Sequence, residues 1–181
     1  TKGLAATMPI MIIGSFAELL ADMQLGDYQK WIAPIKAYLE IPVNFTINIV
    51  AIYAVCGIAY SLAKSFEKNG LQAAIIALLS FLIITPMGNF KLGKNMVQAI
   101  PVQWLGAQGL FAAIIIGVLA TRLYIFIVNK HWTIKMPAGV PPMIADSFAA
   151  LVPAIIVAII FTVISATFSK TSLGSLHQAV Y

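Results

Sequence analysis

Apolar residues fill long runs along this chain, and polar residues gather between them. The runs cover about residues 4–23, 43–63, 71–86, 107–128 and 143–166. A helix needs roughly 20 such residues to cross the hydrocarbon core of a bilayer. The pattern therefore predicts an all-α membrane protein with five transmembrane helices, followed over 169–181 by the start of a polar linker.

The interruptions refine this reading. In the first run, Pro9 stands near a helix start, where its missing amide hydrogen costs little. Glu18 and Asp22 share a face near the run's end, at the interface or against protein. Residues 24–42 are polar and aromatic, with Tyr28, Trp31 and Tyr38 suited to the headgroup region and to an interfacial helix. Between the second and third runs, Asn69-Gly70 is expected to supply the positive φ of a tight reversal. Residues 86–106 form the longest connector, with a short surface segment in MVQAIPVQWL.

The fourth run places Gly109, Ala113, Gly117 and Thr121 four apart, a stripe of small residues that lets helix backbones approach closely, within or between protomers. Arg122 beside it snorkels outward or pairs with a carboxylate. In the fifth run Asp146, Ala150, Ala154 and Ala158 repeat the spacing, Pro153 marks a kink, and Asp146 is expected to cap the helix start. The connector NKHWTIKMPAGVPP holds three prolines, Pro137, Pro141 and Pro142, and so forms a defined, extended loop.

Composition removes the soluble alternatives. Of 181 residues, 61% are hydrophobic and 9% charged, and the mean hydropathy is +0.95; about a quarter charged is usual for a soluble domain. The net charge of +5 comes from basic residues standing singly in connectors, which reads as membrane orientation rather than nucleic-acid binding. Lys2, Lys64, Lys68, Arg122, Lys130 and Lys135 fall on one side, and Lys30, Lys36, Lys91, Lys94 and Lys170 on the other. The two short hairpin loops on the first side are the more densely basic, which places the N-terminus in the cytoplasm. The chain starts without Met and stops just inside a polar segment, as a fragment of a longer protein would.

Catalytic chemistry is not indicated. No phosphate loop, HExxH, GxSxG or paired cysteine occurs. Cys56 reads as a packed thiol, and His131 and His177 lie in polar segments without partners at ligand spacing. No catalytic residue, metal site or cofactor is expected. A complete small channel or carrier lined by Glu18, Asp22, Arg122 and Asp146 is the alternative reading; a membrane enzyme lacks a nucleophile and base.

Two stretches carry a family resemblance. Met136-Pro137-Ala138-Gly139-Val140-Pro141-Pro142, followed by Ala145-Asp146-Ser147-Phe148-Ala149-Ala150-Leu151-Val152-Pro153, resembles the MPxxVPPxVxxSFAALIP signature of bacterial phosphotransferase-system sugar permeases, the enzyme IIC components of the lactose and cellobiose family. Leu4 to Phe16 is similar to that family's first helix, with its MPxxIxGS pattern. The resemblance implies a bacterial inner-membrane protein that imports a disaccharide such as cellobiose, chitobiose or lactose for phosphorylation by a IIB partner. It implies a five-helix N-terminal dimerisation domain, present here, and a C-terminal transport domain, whose IHG-like and NEP-like motifs are absent. No sugar-binding residue is carried over. The implied roles are structural: Pro137, Pro141 and Pro142 in a rail-like loop near the domain junction, Asp146, Ser147, Phe148 and Pro153 in the helix after it, and Gly109, Ala113 and Gly117 in close packing of a homodimer.

Overall fold

A computed structural model describes residues 2–134, 136–137 and 139–170. The expected linker lies outside them from residue 171 onward, as does Lys135. The described chain is mostly helical: α1 (Lys2–Ala5), α2 (Met8–Asp22), α3 (Tyr28–Ile32), α4 (Lys36–Asn44), α5 (Val50–Ser65), α6 (Gly70–Ile84), α7 (Ala107–Asn129) and α8 (Pro142–Ser169), with a β-hairpin between α6 and α7.

The first run is two helices rather than one. Pro9 offers no amide hydrogen to the carbonyl of Ala5 and its ring crowds that position, so the helix breaks at Ala6-Thr7. The Thr7 hydroxyl takes over the exposed end by donating to Leu4 O at 2.7 Å. At the far end of α2, Tyr28 Oη donates to Leu20 O at 2.8 Å, and Gln29 Nε2 donates to Ala21 O and Met23 O at 3.0 and 2.9 Å. These side chains replace the donors that a helix end lacks.

The second run also divides. Helix begins earlier than expected, at Lys36, pauses after Asn44 and resumes at Val50. In the pause, the Thr46 hydroxyl bonds Pro42 O and Asn48 Nδ2 donates to Asn44 Oδ1, side-chain bonds that compete with the helical ladder. The first turn of α5 is then tied to the entry of α7, Ala51 N donating to Leu105 O at 2.8 Å.

The reversal between α5 and α6 works differently from the expectation. The left-handed residue is Glu67, φ 57°, while Asn69 is the N-cap of α6, its Oδ1 accepting from the amides of Leu71 and Gln72. Gly70 is needed for space: a Cβ there would stand 2.8 Å from the Tyr60 ring.

Residues 88–99, expected as plain connector, form an antiparallel hairpin, β1 (Gly88–Leu92) with β2 (Asn95–Ala99), in the register Gly88↔Ala99 to Leu92↔Asn95. Gly93 has φ 61° at the first position of the two-residue turn, as a type II′ turn requires.

The core lies among α5, α6 and α7. Ala51, Val55, Ala59 and Ala63 of α5 meet Ala73, Ala77 and Phe81 of α6 and Ala113, Ile116 and Ala120 of α7, all buried. Alanine at these positions brings the backbones close, the usual way helices associate in lipid. Helices α5 and α7 run parallel, since Gly109 lies beside Ala51 and Gly117 beside Val55 and Ile58. Helix α8 packs chiefly against α6, and its Val157 and Phe161 are buried in the common core.

Length separates the helices. Lys36–Ser65, Ala107–Asn129 and Ile144–Ser169 are long and apolar enough to cross a membrane. Helices α2 and α6 have 15 residues each, about 22 Å against a hydrocarbon core of about 30 Å. The expected count of five is therefore not met by helix length: three spans qualify among the described residues.

Candidate functional site

The residues singled out by sequence fall into two places. Gly109, Ala113, Gly117 and Thr121 line the α5–α7 contact. A Cβ on Gly109 would overlap the Trp104 carbonyl, Ala113 and Thr121 are fully buried, and a Cβ on Gly117 would meet Val55 O and Ile58 Cγ2 at 3.4 Å. Thr121 Oγ1 donates to Gly117 O at 2.6 Å, so its hydroxyl is satisfied within its own helix. This stripe is occupied inside the chain, and it offers no free face to a second copy.

The second place is the junction of α6, α7 and α8 beside the proline loop. The carbonyl of Pro141 accepts from the amides of Ile144 and Ala145, and Gly139 turns the loop with φ 112°. Pro137 and Pro141 are exposed, and α8 begins at Pro142. Asp146 does not cap the helix: the N-cap is Pro141, no side chain fills that role, and Asp146 is the fifth helical residue, beyond reach of the free amides. Ser147 and Phe148 face outward on the same stretch. Pro153 is buried against the bundle.

What joins these helices is a residue that the sequence reading passed over. Gln72 Nε2 donates to Asp146 O at 2.7 Å, and Tyr124 Oη donates to Gln72 Oε1 at 2.9 Å, so one amide links α6 to both α8 and α7. Farther along, Ser165 Oγ donates to Ile83 O at 3.1 Å. Together the two bonds show that α6 and α8 run parallel. A lone glutamine in an apolar helix was the available signal, because polar side chains tie helices together in membranes.

The charged residues of the channel alternative do not converge. Asp22 pairs with Lys36 at 3.4 Å, and Arg122 stacks on the Phe66 ring at 4.6 Å from its centroid. Asp22 and Glu18 line an open recess with Ser15 at the end of α2, whereas Arg122 and Asp146 lie at the opposite end of the bundle, beside the α5–α6 turn. Cys56, expected as packed, is half-buried on the wall of a groove of about 1070 Å³ between α1 and α5, together with Lys2, Tyr60, Ser61 and Lys64. Among the described residues, no three His, Cys, Asp or Glu side chains gather to hold a metal. The arrangement is one of helix packing, with the proline loop leading into the start of α8, where Asp146 O accepts from Gln72.

Known proteins are similar to this chain in sequence and, in one solved structure, in fold. The sequence profile of the family described as "Phosphotransferase system, EIIC" matches residues 1–180. This chain belongs to the phosphotransferase system EIIC family. The cellobiose-specific EIIC component of Geobacillus stearothermophilus is 34% identical over 189 residues, covering 98% of this chain and 42% of that protein. The oligo-beta-mannoside-specific EIIC component of Bacillus subtilis (strain 168) is 34% identical over 177 residues, 96% of this chain and 40% of that protein. The crystal structure of the transporter ChbC, the IIC component from the N,N'-diacetylchitobiose-specific phosphotransferase system, superposes with a TM-score of 0.90 at 36% identity, over 99% of this chain and 44% of that one. The EIIC chain described here thus spans about two fifths of the length of these relatives.

Proposed function

We propose that this chain is the N-terminal membrane scaffold of an EIIC permease that imports a disaccharide of the cellobiose, chitobiose or lactose class and presents it to a phosphorylating IIB partner. The observation that carries the reading is the match to EIIC proteins along nearly the whole chain but only about two fifths of theirs. The chain itself is a permease part rather than an enzyme. Sugar contact and transport movement then belong to the remainder of the protein, and the packed α5–α6–α7 core is the static body against which that remainder moves.

Five membrane crossings remain part of the proposal. Taken through the Ala6-Thr7 break, α1 and α2 cover residues 2–22, about 30 Å of helical path. The short α6 is supported by its position inside the bundle, where protein rather than lipid surrounds most of it. A cytoplasmic N-terminus is supported by Lys64, Lys68, Arg122 and Lys130 at the α5–α6 end of the bundle. Homodimerisation is also proposed, through surfaces other than the Gly109–Gly117 stripe. Pro137, Pro141 and Pro142 form a stiff rail between scaffold and transport domain, because fixed φ angles leave a loop less entropy to lose.

The test is sugar phosphorylation by membrane vesicles containing the intact protein, supplied with phosphoenolpyruvate and the soluble phosphotransferase proteins. Radiolabelled cellobiose, N,N'-diacetylchitobiose and lactose are compared. Phosphorylation of at least one of them, lost when the gene is deleted, is expected; no phosphorylation of any would contradict the proposal.

A further inference from the structure

Among the described residues, helix α8 is buried only along its middle, from Pro153 to Phe161. Pro153, Val157 and Phe161, spaced by four, form its buried seam. Before Pro153 the helix adds nothing to that seam: no residue from 144 to 152 is buried, while outward-facing apolar residues are exposed on both sides of the proline, Phe148 at 44% and Ile155 at 49%. The change falls at the residue where the helical ladder is interrupted, because Pro153 gives no amide hydrogen to the carbonyl of Ala149. Helices bend where that bond is missing.

One tie from this segment to the bundle is at Asp146, whose carbonyl accepts from Gln72 Nε2. The amide of Gln72 has one satisfying orientation. Turned over, it would point Oε1 at the Asp146 carbonyl, acceptor against acceptor. The buried Tyr124, 2% exposed, holds the correct orientation by donating to Oε1. The tie lies seven residues before Pro153, a lever of about 10 Å. Interhelical bonds of this kind in membranes are weak enough to open spontaneously.

We propose that residues 144–152 form an arm that pivots at Pro153, with Gln72 and Tyr124 as the latch that holds it closed. The arm carries the proline loop at its free end, so opening the latch moves the loop while the seam at Val157 and Phe161 stays in place. Gln72 and Tyr124 are positioning residues in this device: they act on the loop only through the start of α8.

Hydrogen exchange read by mass spectrometry, on the intact protein in lipid nanodiscs, tests it. In Gln72→Met, amides of 144–152 should exchange about threefold faster, the effect of losing one interhelical hydrogen bond in a membrane, while those of 154–168 stay unchanged. Tyr124→Phe should accelerate the arm by a smaller factor. Pro153→Ala restores the missing ladder bond and should slow exchange in the arm, alone and in the Gln72→Met background. Unchanged arm exchange in Gln72→Met, or equal acceleration on both sides of residue 153, would overturn the latch. Should Gln72→Met not fold, Pro153→Ala alone decides: slower arm exchange supports the pivot and unchanged exchange contradicts it.

Discussion

Gly3 and Gly57 meet backbone to backbone where α1 crosses α5. A Cβ built on Gly57 would stand 2.5 Å from the carbonyl oxygen of Gly3, and one built on Gly3 would strike the carbonyl of Gly57 in turn. The crossing fixes where the N-terminal helices lie on the bundle, since Gly14 of α2 then falls against Thr46 at the start of the α5 path.

Gly57→Ala should therefore be destabilising despite the better helix propensity of alanine, which on an open helix face would add up to about 1 kcal/mol. Overpacking a closed contact costs about 1–3 kcal/mol. A lower melting temperature in detergent, with faster proteolysis of α1 and α2, is the expected result; a raised one would show that the crossing is open in solution.

The α5–α7 stripe gives a graded series. At Gly117 a methyl group meets its neighbours at 3.4 Å, so Gly117→Ala should shift stability by less than about 1 kcal/mol. Gly117→Leu has no room and should cost about 1–3 kcal/mol. Gly109→Ala should exceed Gly117→Ala because its Cβ overlaps the Trp104 carbonyl. Melting temperatures of the three variants in one detergent check the order. The oligomeric mass in detergent should not follow this series, since the stripe packs within one chain.

Asn69→Ala removes the acceptor for the amides of Leu71 and Gln72. The loss should be about 1 kcal/mol, the usual worth of an N-cap, with Asn69→Asp retaining most of the stability. Thermal unfolding of both variants distinguishes a cap from a plain turn residue.

Pro137→Ala with Pro141→Ala should loosen the proline loop without unfolding the bundle. Tryptic cleavage after Lys130 and Lys135 should accelerate while the melting temperature stays within a few degrees, as expected for a surface loop. Unchanged cleavage would remove the support for a stiff rail.

Hydropathy made the long helices legible because burial in lipid demands apolar residues continuously, and α7 and α8 begin and end close to the runs that predicted them. It failed where side chains replace backbone bonds. Nothing in the apolar run from Leu4 to Met23 marks the break at Ala6-Thr7 except Pro9, whose effect falls on Ala5, four residues back. The pause at Asn44 to Ile49 depends on bonds made by Thr46 and Asn48. The hairpin at Gly88–Ala99 rests on Gly93 and a register that an exposed connector barely encodes. Contacts between distant residues were the least legible. The small-residue stripe announced close packing, but only the structure shows that α5 receives it. Gln72 was passed over, and its bonds to Tyr124 and Asp146 join three helices that the sequence does not place side by side.

The most direct test of the scaffold assignment is equilibrium binding of radiolabelled cellobiose, N,N'-diacetylchitobiose and lactose to this chain alone, purified in detergent, beside the intact protein. Binding by the intact protein and none by the 181-residue chain is the predicted result. Binding of equal affinity by both would contradict it and place the sugar site within these helices.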